Sequence, residues 1–487
     1  MSQVAQRIHL SLVSHTNVGK TTLARTLLGR DIGEVLDQAH VTATAESHAM
    51  IELPDGSALL LWDTPGFGDS TRLAKRLRQR SNPLGWFLGE VLDRWLNRPL
   101  WSSQQAIKNV RDESDVVLYL VNASENPADV AYVDAEMEIL SWTGKPVIVL
   151  LNQSGEPRPA TQEAAEQAKW QGHLGRNAFV RNVLPMDAFA RCWVQELTLL
   201  DAIGSALPEA SQATFKALQA AWQQRRLTSF VDSARAIGGY LGKLVVDVQK
   251  IEETGFLSKV KQTIGFGSNS ADAARDKAMA ALAGRASLAL RALTDELIVI
   301  NGLKGRASHE VLHRLAEELK LDQAASTEGA AVVGGVLAGA LSGLSADLMA
   351  GGLTLGAGAL VGAIVGALGG AGIAKGYNIM SNKEGSSARW SHEALNRFFG
   401  ESLLLYLAVA HFGRGRGEWS RAEHPPHWRT EVSSLVTEKG PELDALWQSW
   451  QDVTVNAERA KVLSALLEQA LRSILARLYP ASPPPSA

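Results

Sequence analysis

A single cysteine, Cys192, stands in a chain of 487 residues, so no intramolecular disulfide can form. A lone cysteine reads as a small buried apolar side chain and suits a reducing compartment. Excess charge is also missing: 48 basic residues face 51 acidic ones, a formal net charge of −3, so nothing draws the whole chain toward a polyanion. Residues 1–7 lack the apolar core of a signal sequence, which gives the expectation that the first domain stays in the cytoplasm. Metal-ligand spacing of His and Cys is absent, as is a Ser–His–Asp pattern. Two local absences stand out. Arg72, Lys75, Arg76, Arg78 and Arg80 run without an acid among them, and from Gly329 to Ala374 the only charged side chain is Asp347.

What is present is concentrated near the start. The apolar run Ile8 to Val13 reads as a buried strand, and Leu23 to Leu28, closed by Gly29, reads as a helix. Between them lies Ser14-His15-Thr16-Asn17-Val18-Gly19-Lys20-Thr21-Thr22. Strand, tight loop, Gly-Lys-Thr and helix is the setting in which backbone N–H groups cradle phosphate oxygens. Lys20 is then expected to reach the β- and γ-phosphates and Thr21 to ligate Mg²⁺. The first position of the loop is Ser14 rather than glycine, which costs backbone freedom without abolishing the turn. Residues 31–47 show little apolar periodicity and carry Thr42 and Thr44. The strand Leu59 to Trp62 delivers Asp63-Thr64-Pro65-Gly66, where the Asp is expected to hold the Mg²⁺ shell and the Gly N–H to face the γ-phosphate. Further strands, Asp115–Ala123 and Lys145–Leu151, alternate with helices and predict a doubly wound, mostly parallel α/β sheet.

SHTNVGKT, DTPG, then Asn152-Gln153-Ser154-Gly155 and the Asp187-Ala188-Phe189 element resemble the Era-like branch of the TRAFAC class of P-loop GTPases, over about residues 7–205. The resemblance implies GTP/GDP and Mg²⁺ as cofactors. It implies Ser14, Asn17, Val18, Gly19, Lys20, Thr21, Thr22, Asn152, Gln153 and Ala188 around the nucleotide, with Thr21, Thr44 and Asp63 on the metal. Lys20, Thr44, Asp63 and Gly66 would carry the chemistry, Thr44 being preferred to Thr42 as the switch I ligand. Three positions depart from the pattern. Gly155 stands where the family has the Asp that reads guanine, so discrimination should weaken. Phe67 stands where the Ras group has its water-orienting Gln. Asn17 matches relatives in which K⁺ assists, and equally suits a loop-capping amide.

Four segments follow from composition: 1–205, the GTPase domain; 206–325, helical, with breaks at Gly238-Gly239 and Gly265–Asn269; 326–380, a glycine-rich hydrophobic hairpin; and 381–487, helical with a Pro-rich disordered tail. The region after the GTPase domain is thus expected to be all-α. A layout of this kind resembles bacterial GTPases that carry a C-terminal helical domain of unknown function. In 329–374, glycines recur every four residues at Gly335, Gly339 and Gly343 and from Gly358 to Gly370, which lets two helices approach closely in a bilayer. Membrane insertion and burial in a soluble core are both open to it, insertion being the expectation. The post-DTPG segment, with Leu84, Leu88, Val91, Leu92 and Trp95 on one helical face beside the basic run, suits an anionic membrane or packing onto the GTPase domain, the second being favoured.

The reading is therefore a GTPase switch in the cytoplasm at the inner membrane. It competes with an RNA- or ribosome-associated GTPase and with a non-hydrolysing scaffold. Gly302–Gly305 has the spacing of a KH-type RNA loop but lacks flanking strands, so nucleic acid is disfavoured. Protein partners and homo-oligomerisation are left open.

Overall fold

A computed structural model describes residues 5–29, 32, 45–89, 98–153, 160–188, 192–251, 268–302, 377–382, 385–411, 426–450, 457–482 and 484–485. The strands that the apolar runs predict are there, β1 (Arg7–Ser14), β3 (Ala58–Asp63), β4 (Val116–Asn122) and β5 (Val147–Asn152), and they are joined by β2 (Glu46–Glu52) and β6 (Val180–Pro185). They form one sheet in the order β2-β3-β1-β4-β5-β6, with β2 antiparallel and the rest parallel.

Burial on both faces explains why β1, β3, β4 and β5 are largely apolar, while the edge strand β2 is mostly exposed and mixed in polarity. Along β4, Val117, Tyr119 and Val121 point to one layer and Val116, Leu118 and Leu120 to the other. The first layer is completed by α2 (Ser70–Leu77), α3 (Pro83–Gly89), α4 (Arg98–Asp112), α5 (Ala131–Ser141) and α6 (Ala160–Leu174). The second is completed by α1 (Lys20–Leu28), α7 (Trp193–Ala206) and the start of α8 (Glu209–Val245). Each fully buried Leu, Ile or Val contributes roughly 1.5–3 kcal/mol of transfer free energy. The sheet departs from β1 in two directions, toward β3 and toward β4, and the carboxyl ends of strands at such a point form the ligand crevice of open α/β sheets.

The post-DTPG helix packs inward over its described part. Leu84 and Phe87 are buried in the first layer, with Trp86 and Leu88 packed against it. Arg76 and Arg80 stack over the Trp86 ring at 5.7 and 4.4 Å. Val91, Leu92 and Trp95 lie outside the described residues.

Contact clustering divides the chain into two units. The first holds residues 1–228, 410–427 and 475–487, and the second residues 229–409 and 428–474. In the first, Glu196 of α7 is a buried carboxylate gripped by α8: Trp222 Nε1 donates to it at 2.8 Å and Arg226 bonds both its oxygens at 2.8 Å. The Pro-rich tail is not free of structure where it is described. The Ser482 hydroxyl accepts from Thr198 at 2.6 Å, and Leu478 to Ser482 line a cavity of about 120 Å³ with α6 and α7.

The second unit is mostly helical rather than all-α. It holds the C-terminal part of α8, α9 (Ser268–Ile300) and most of α10 (His392–Ala410), α11 (Pro426–Trp450) and α12 (Ala457–Leu478). It also contains a three-stranded antiparallel sheet of β7 (Val248–Ile251), β8 (Tyr377–Asn382) and β9 (Gly385–Trp390), in the order β7-β9-β8. Strands of four to six residues carry little periodicity, and β7 pairs with a strand far along the chain, which is why composition misses this sheet. The expected break at Gly238-Gly239 is absent, and α8 runs through both residues. A Cβ at Gly238 would stand 2.9 Å from the Ser464 hydroxyl, so the glycine serves close helix packing rather than a turn. Residues 329–374 lie outside the described residues, as do Leu303–Gly305 of the GxxG stretch. Among the described residues, no helix is long and apolar enough to cross a membrane.

Candidate nucleotide site

The loop between β1 and α1 leaves the sheet at its carboxyl edge. Asn17 and Gly19 both take left-handed backbone, φ 66° and 93°. Asparagine tolerates that region better than other side chains. At Gly19 a second constraint applies, since a Cβ would come within 2.8 Å of Asn152 Nδ2. These two turns let α1 begin at Lys20 with its N-terminus facing the crevice.

Lys20 is buried, and its ammonium donates to the Ser14 hydroxyl at 3.2 Å. The serine that replaces the first loop glycine thus supplies a polar seat for the lysine. Burial lowers the Lys20 pKa, opposed by the charges of Asp63 and Glu136. Thr21 donates to Asp63 Oδ2 at 2.6 Å. Asp63 Oδ1 is buried and has no hydrogen-bond partner among the described residues. Burial pushes the Asp63 carboxyl pKa up, while the Thr21 hydrogen bond and Lys20 pull it down. A hydroxyl and an orphaned carboxylate oxygen, side by side at a strand end, fit a hard divalent cation with oxygen ligands. Among the described residues no cluster of three His, Cys, Asp or Glu could hold a metal, so a cation here would take further ligands from elsewhere.

DTPG is fastened to the same loop. Thr64 donates to the Leu12 carbonyl at 2.6 Å, Phe67 N–H to the Ser14 carbonyl at 2.8 Å, and Thr16 N–H to the Phe67 carbonyl at 3.2 Å. Gly66 thereby lies against Lys20 and Thr16. The Phe67 ring is fully buried in the core layer, so the position that orients water in the Ras group here anchors the loop.

At the other end, Asn152 is fully buried with both ends of its amide engaged. Nδ2 donates to the Val18 carbonyl at 2.6 Å, and Oδ1 accepts from Ala188 N–H at 2.8 Å. Gln153, also left-handed at φ 55°, donates to the Asn17 carbonyl at 3.3 Å. Thr26 Oγ1 bonds the Thr22 and Ala188 carbonyls, each at 2.9 Å. The structure therefore brings Ser14, Asn17, Val18, Gly19, Lys20, Thr21, Thr22, Asp63, Gly66, Asn152, Gln153 and Ala188 into one constellation. Thr42, Thr44, Ser154, Gly155 and Phe189 lie outside the described residues.

Residues 174–475, more than half of the chain, match the family described as "Domain of unknown function (DUF3482)". The chain belongs to that family. In this DUF3482 protein, residues 9–153 match a second family, described as "50S ribosome-binding GTPase", so the N-terminal domain resembles P-loop GTPases. Solved structures similar to the DUF3482 chain include Era in complex with MgGDPNP and nucleotides 1506–1542 of 16S ribosomal RNA, at 19% identity and a TM-score of 0.32. A variant of Aquifex aeolicus Era bound to GDP·AlF4⁻ is similar at 21% identity and a TM-score of 0.30. Each of these two matches covers 42% of this chain, which spans 58% of the Era chain concerned. A bacterial selenocysteine-specific elongation factor is similar at 14% identity and a TM-score of 0.24, with 37% of this chain and 26% of that chain covered. No curated protein matches the DUF3482 chain.

Sequence reasoning missed Thr26, His15 and Glu136. The sequence does mark Glu136. It sits between Val133 and Leu140 on the apolar face of α5, a position where an acid is kept only with partners. Those partners are His15 at 2.8 Å and Tyr119 at 2.6 Å, with Ser70 donating as well.

Proposed function

We propose that the protein binds GTP and Mg²⁺, hydrolyses GTP slowly to GDP and phosphate, and acts as a nucleotide-operated switch associated with the inner membrane. The observation that carries this reading is the buried Lys20–Thr21–Asp63 group at the ends of β1 and β3. Lys20 leaves the Ser14 hydroxyl to donate to phosphate oxygens, a charge-assisted bond made stronger by burial. Thr21 and Asp63 hold the cation, and Thr44 is the proposed additional ligand. When bound, Mg²⁺ supplies positive charge against the developing phosphoryl charge. Gly66 N–H faces the γ-phosphate.

Nothing at Phe67 positions water, so hydrolysis is slow until a partner or a K⁺ ion near Asn17 assists. Asn152 spends both amide ends on the scaffold. With Gly155 in place of the family's Asp, the base is read by little more than Gln153 and the Ala188 loop, and GTP is preferred to ATP by a narrow margin. Residues 329–374 are proposed to enter the bilayer as a close-packed hairpin with Asp347 at its turn, both flanks remaining in the cytoplasm.

Two measurements test the two halves. Rate measurements with GTP, with and without Mg²⁺ and K⁺, should show slow Mg²⁺-dependent turnover that K⁺ raises. Carbonate extraction of the full chain should leave it with membranes, and a version lacking 329–374 in the supernatant. A full chain that is soluble and monodisperse without detergent overturns the membrane half alone.

A further inference from the structure

Among the described residues, Glu136 is the most buried charged side chain that the nucleotide reading leaves unused, with no exposed surface at all. It projects from α5 to where three other elements meet. Its Oε1 receives His15 Nδ1 at 2.8 Å from the P-loop and the Ser70 hydroxyl from the first residue of α2. Its Oε2 receives the Tyr119 hydroxyl at 2.6 Å from β4. Burial and the facing carboxylate push the Tyr119 pKa well up, so that phenol remains a donor. The His15 ring is held from the other side by Tyr132, with centroids 4.5 Å apart, and Tyr132 is in turn bonded to Glu125. Ser70 also contacts the Gly68 carbonyl at 3.0 Å, two residues beyond DTPG.

One carboxylate therefore joins the loop expected to wrap phosphate to the segment that follows DTPG. Leaving a buried carboxylate short of a donor is costly, so the three donors are held as a set. α2 carries the acid-free basic run on its exposed side, with Arg72, Lys75 and Arg76 all exposed. A movement of the P-loop or of DTPG cannot leave Ser70 in place without breaking this set.

We propose that Glu136 is a positioning residue that couples the P-loop, through His15, to the start of α2, through Ser70, so that nucleotide state sets the position of the basic α2 surface. The proposal rests on the GTPase reading above and deepens it. It does not require membrane association.

The test uses the full chain, comparing wild type with Ser70→Ala, His15→Phe, the double variant and Ser70→Thr. Thermal unfolding first establishes that each is folded. Hydrogen exchange of residues 70–77 is then compared between the GDP-bound and GTP-analogue-bound states, alongside GDP affinity and kcat. In wild type, exchange in 70–77 should differ between the two states. In either single variant that contrast should shrink at least threefold and kcat should fall about fivefold, with GDP affinity within about twofold. The double variant should be no worse than the worse single one, because both break the same link. Ser70→Thr, which keeps the hydroxyl, should restore the contrast. A contrast that persists in Ser70→Ala, losses that multiply in the double variant, or a wild type without contrast overturns the proposal. A wild type that shows the contrast but never turns over GTP instead sinks the hydrolysis reading, and leaves the coupling standing.

Discussion

The two ends of the nucleotide site are built on opposite plans. At the phosphate end, polar groups stand buried with capacity to spare: the Lys20 ammonium is seated on one hydroxyl, and Asp63 Oδ1 has no partner among the described residues. At the base end, the side chain that should read a ring, Asn152, has its amide nitrogen and oxygen already committed to Val18 and Ala188. Spare capacity in a buried polar group is costly to a protein without its ligand and becomes binding energy with it. Groups fully committed within the chain give rigidity instead. On the proposed reading, this difference means that the domain is specified for a polyphosphate and a cation more than for a particular base.

The largest expected effect comes from removing the phosphate end's charge. Lys20→Ala should weaken GTP and GDP binding alike by at least 100-fold, about the value of a buried charge-assisted contact. Equilibrium binding with a fluorescent nucleotide measures it.

Next comes the cation seat. Asp63→Asn should cut Mg²⁺-dependent turnover about 100-fold while changing nucleotide affinity by less than about tenfold. The same substitution should raise the melting temperature of the nucleotide-free protein by about 2–4 °C, since it removes a buried charge. The sign of the pH dependence follows from the raised Asp63 pKa. The folded state holds this proton more tightly than the unfolded chain, so the contribution of Asp63 to stability is most favourable below the ordinary carboxylate range. It is then lost as pH rises through that range up to the raised value. Asp63→Asn should flatten that part of the stability profile. Thermal melts of both proteins across pH check it, and a wild type that gains stability relative to Asp63→Asn through that window contradicts the assignment.

The base end should answer differently. Asn152→Ala leaves the Val18 carbonyl and Ala188 N–H without their partner, so the protein should lose about 2–3 kcal/mol of stability. Nucleotide affinity should fall about tenfold for GTP and for ATP together, because a support and not a base contact has gone. A selective loss of GTP would sharpen the comparison in the other direction and give Asn152 a direct part in reading guanine.

How much of this was legible beforehand depends on what each residue answers to. β1, β3, β4 and β5 announce themselves because strands buried on both faces must be apolar throughout. The phosphate loop is legible because backbone geometry and a charge at fixed spacing leave a local signature from Ser14 to Thr22. Glu136 was legible only as an acid on an apolar helix face, since its meaning depends on His15, Ser70 and Tyr119, which meet it only after folding. Gly238 was misread because a helix break and a close helix approach both select glycine, and Ser464 is the deciding neighbour. The antiparallel sheet of β7, β8 and β9 was invisible for a related reason: Val248 pairs with Arg389, far along the chain.

The smallest expected effect is also the most direct test of the central claim, that the site is specified for phosphates rather than for the base. Competition binding of GTP against ATP in Mg²⁺ on the full wild-type chain measures it. The account predicts a preference for GTP of less than about 100-fold, well short of the 10⁴–10⁵ that a site built to pair with a hydrogen-bonding group achieves. A preference at that upper scale would contradict it, and would mean that the base end carries a guanine reader that Asn152, Gln153 and Ala188 do not supply.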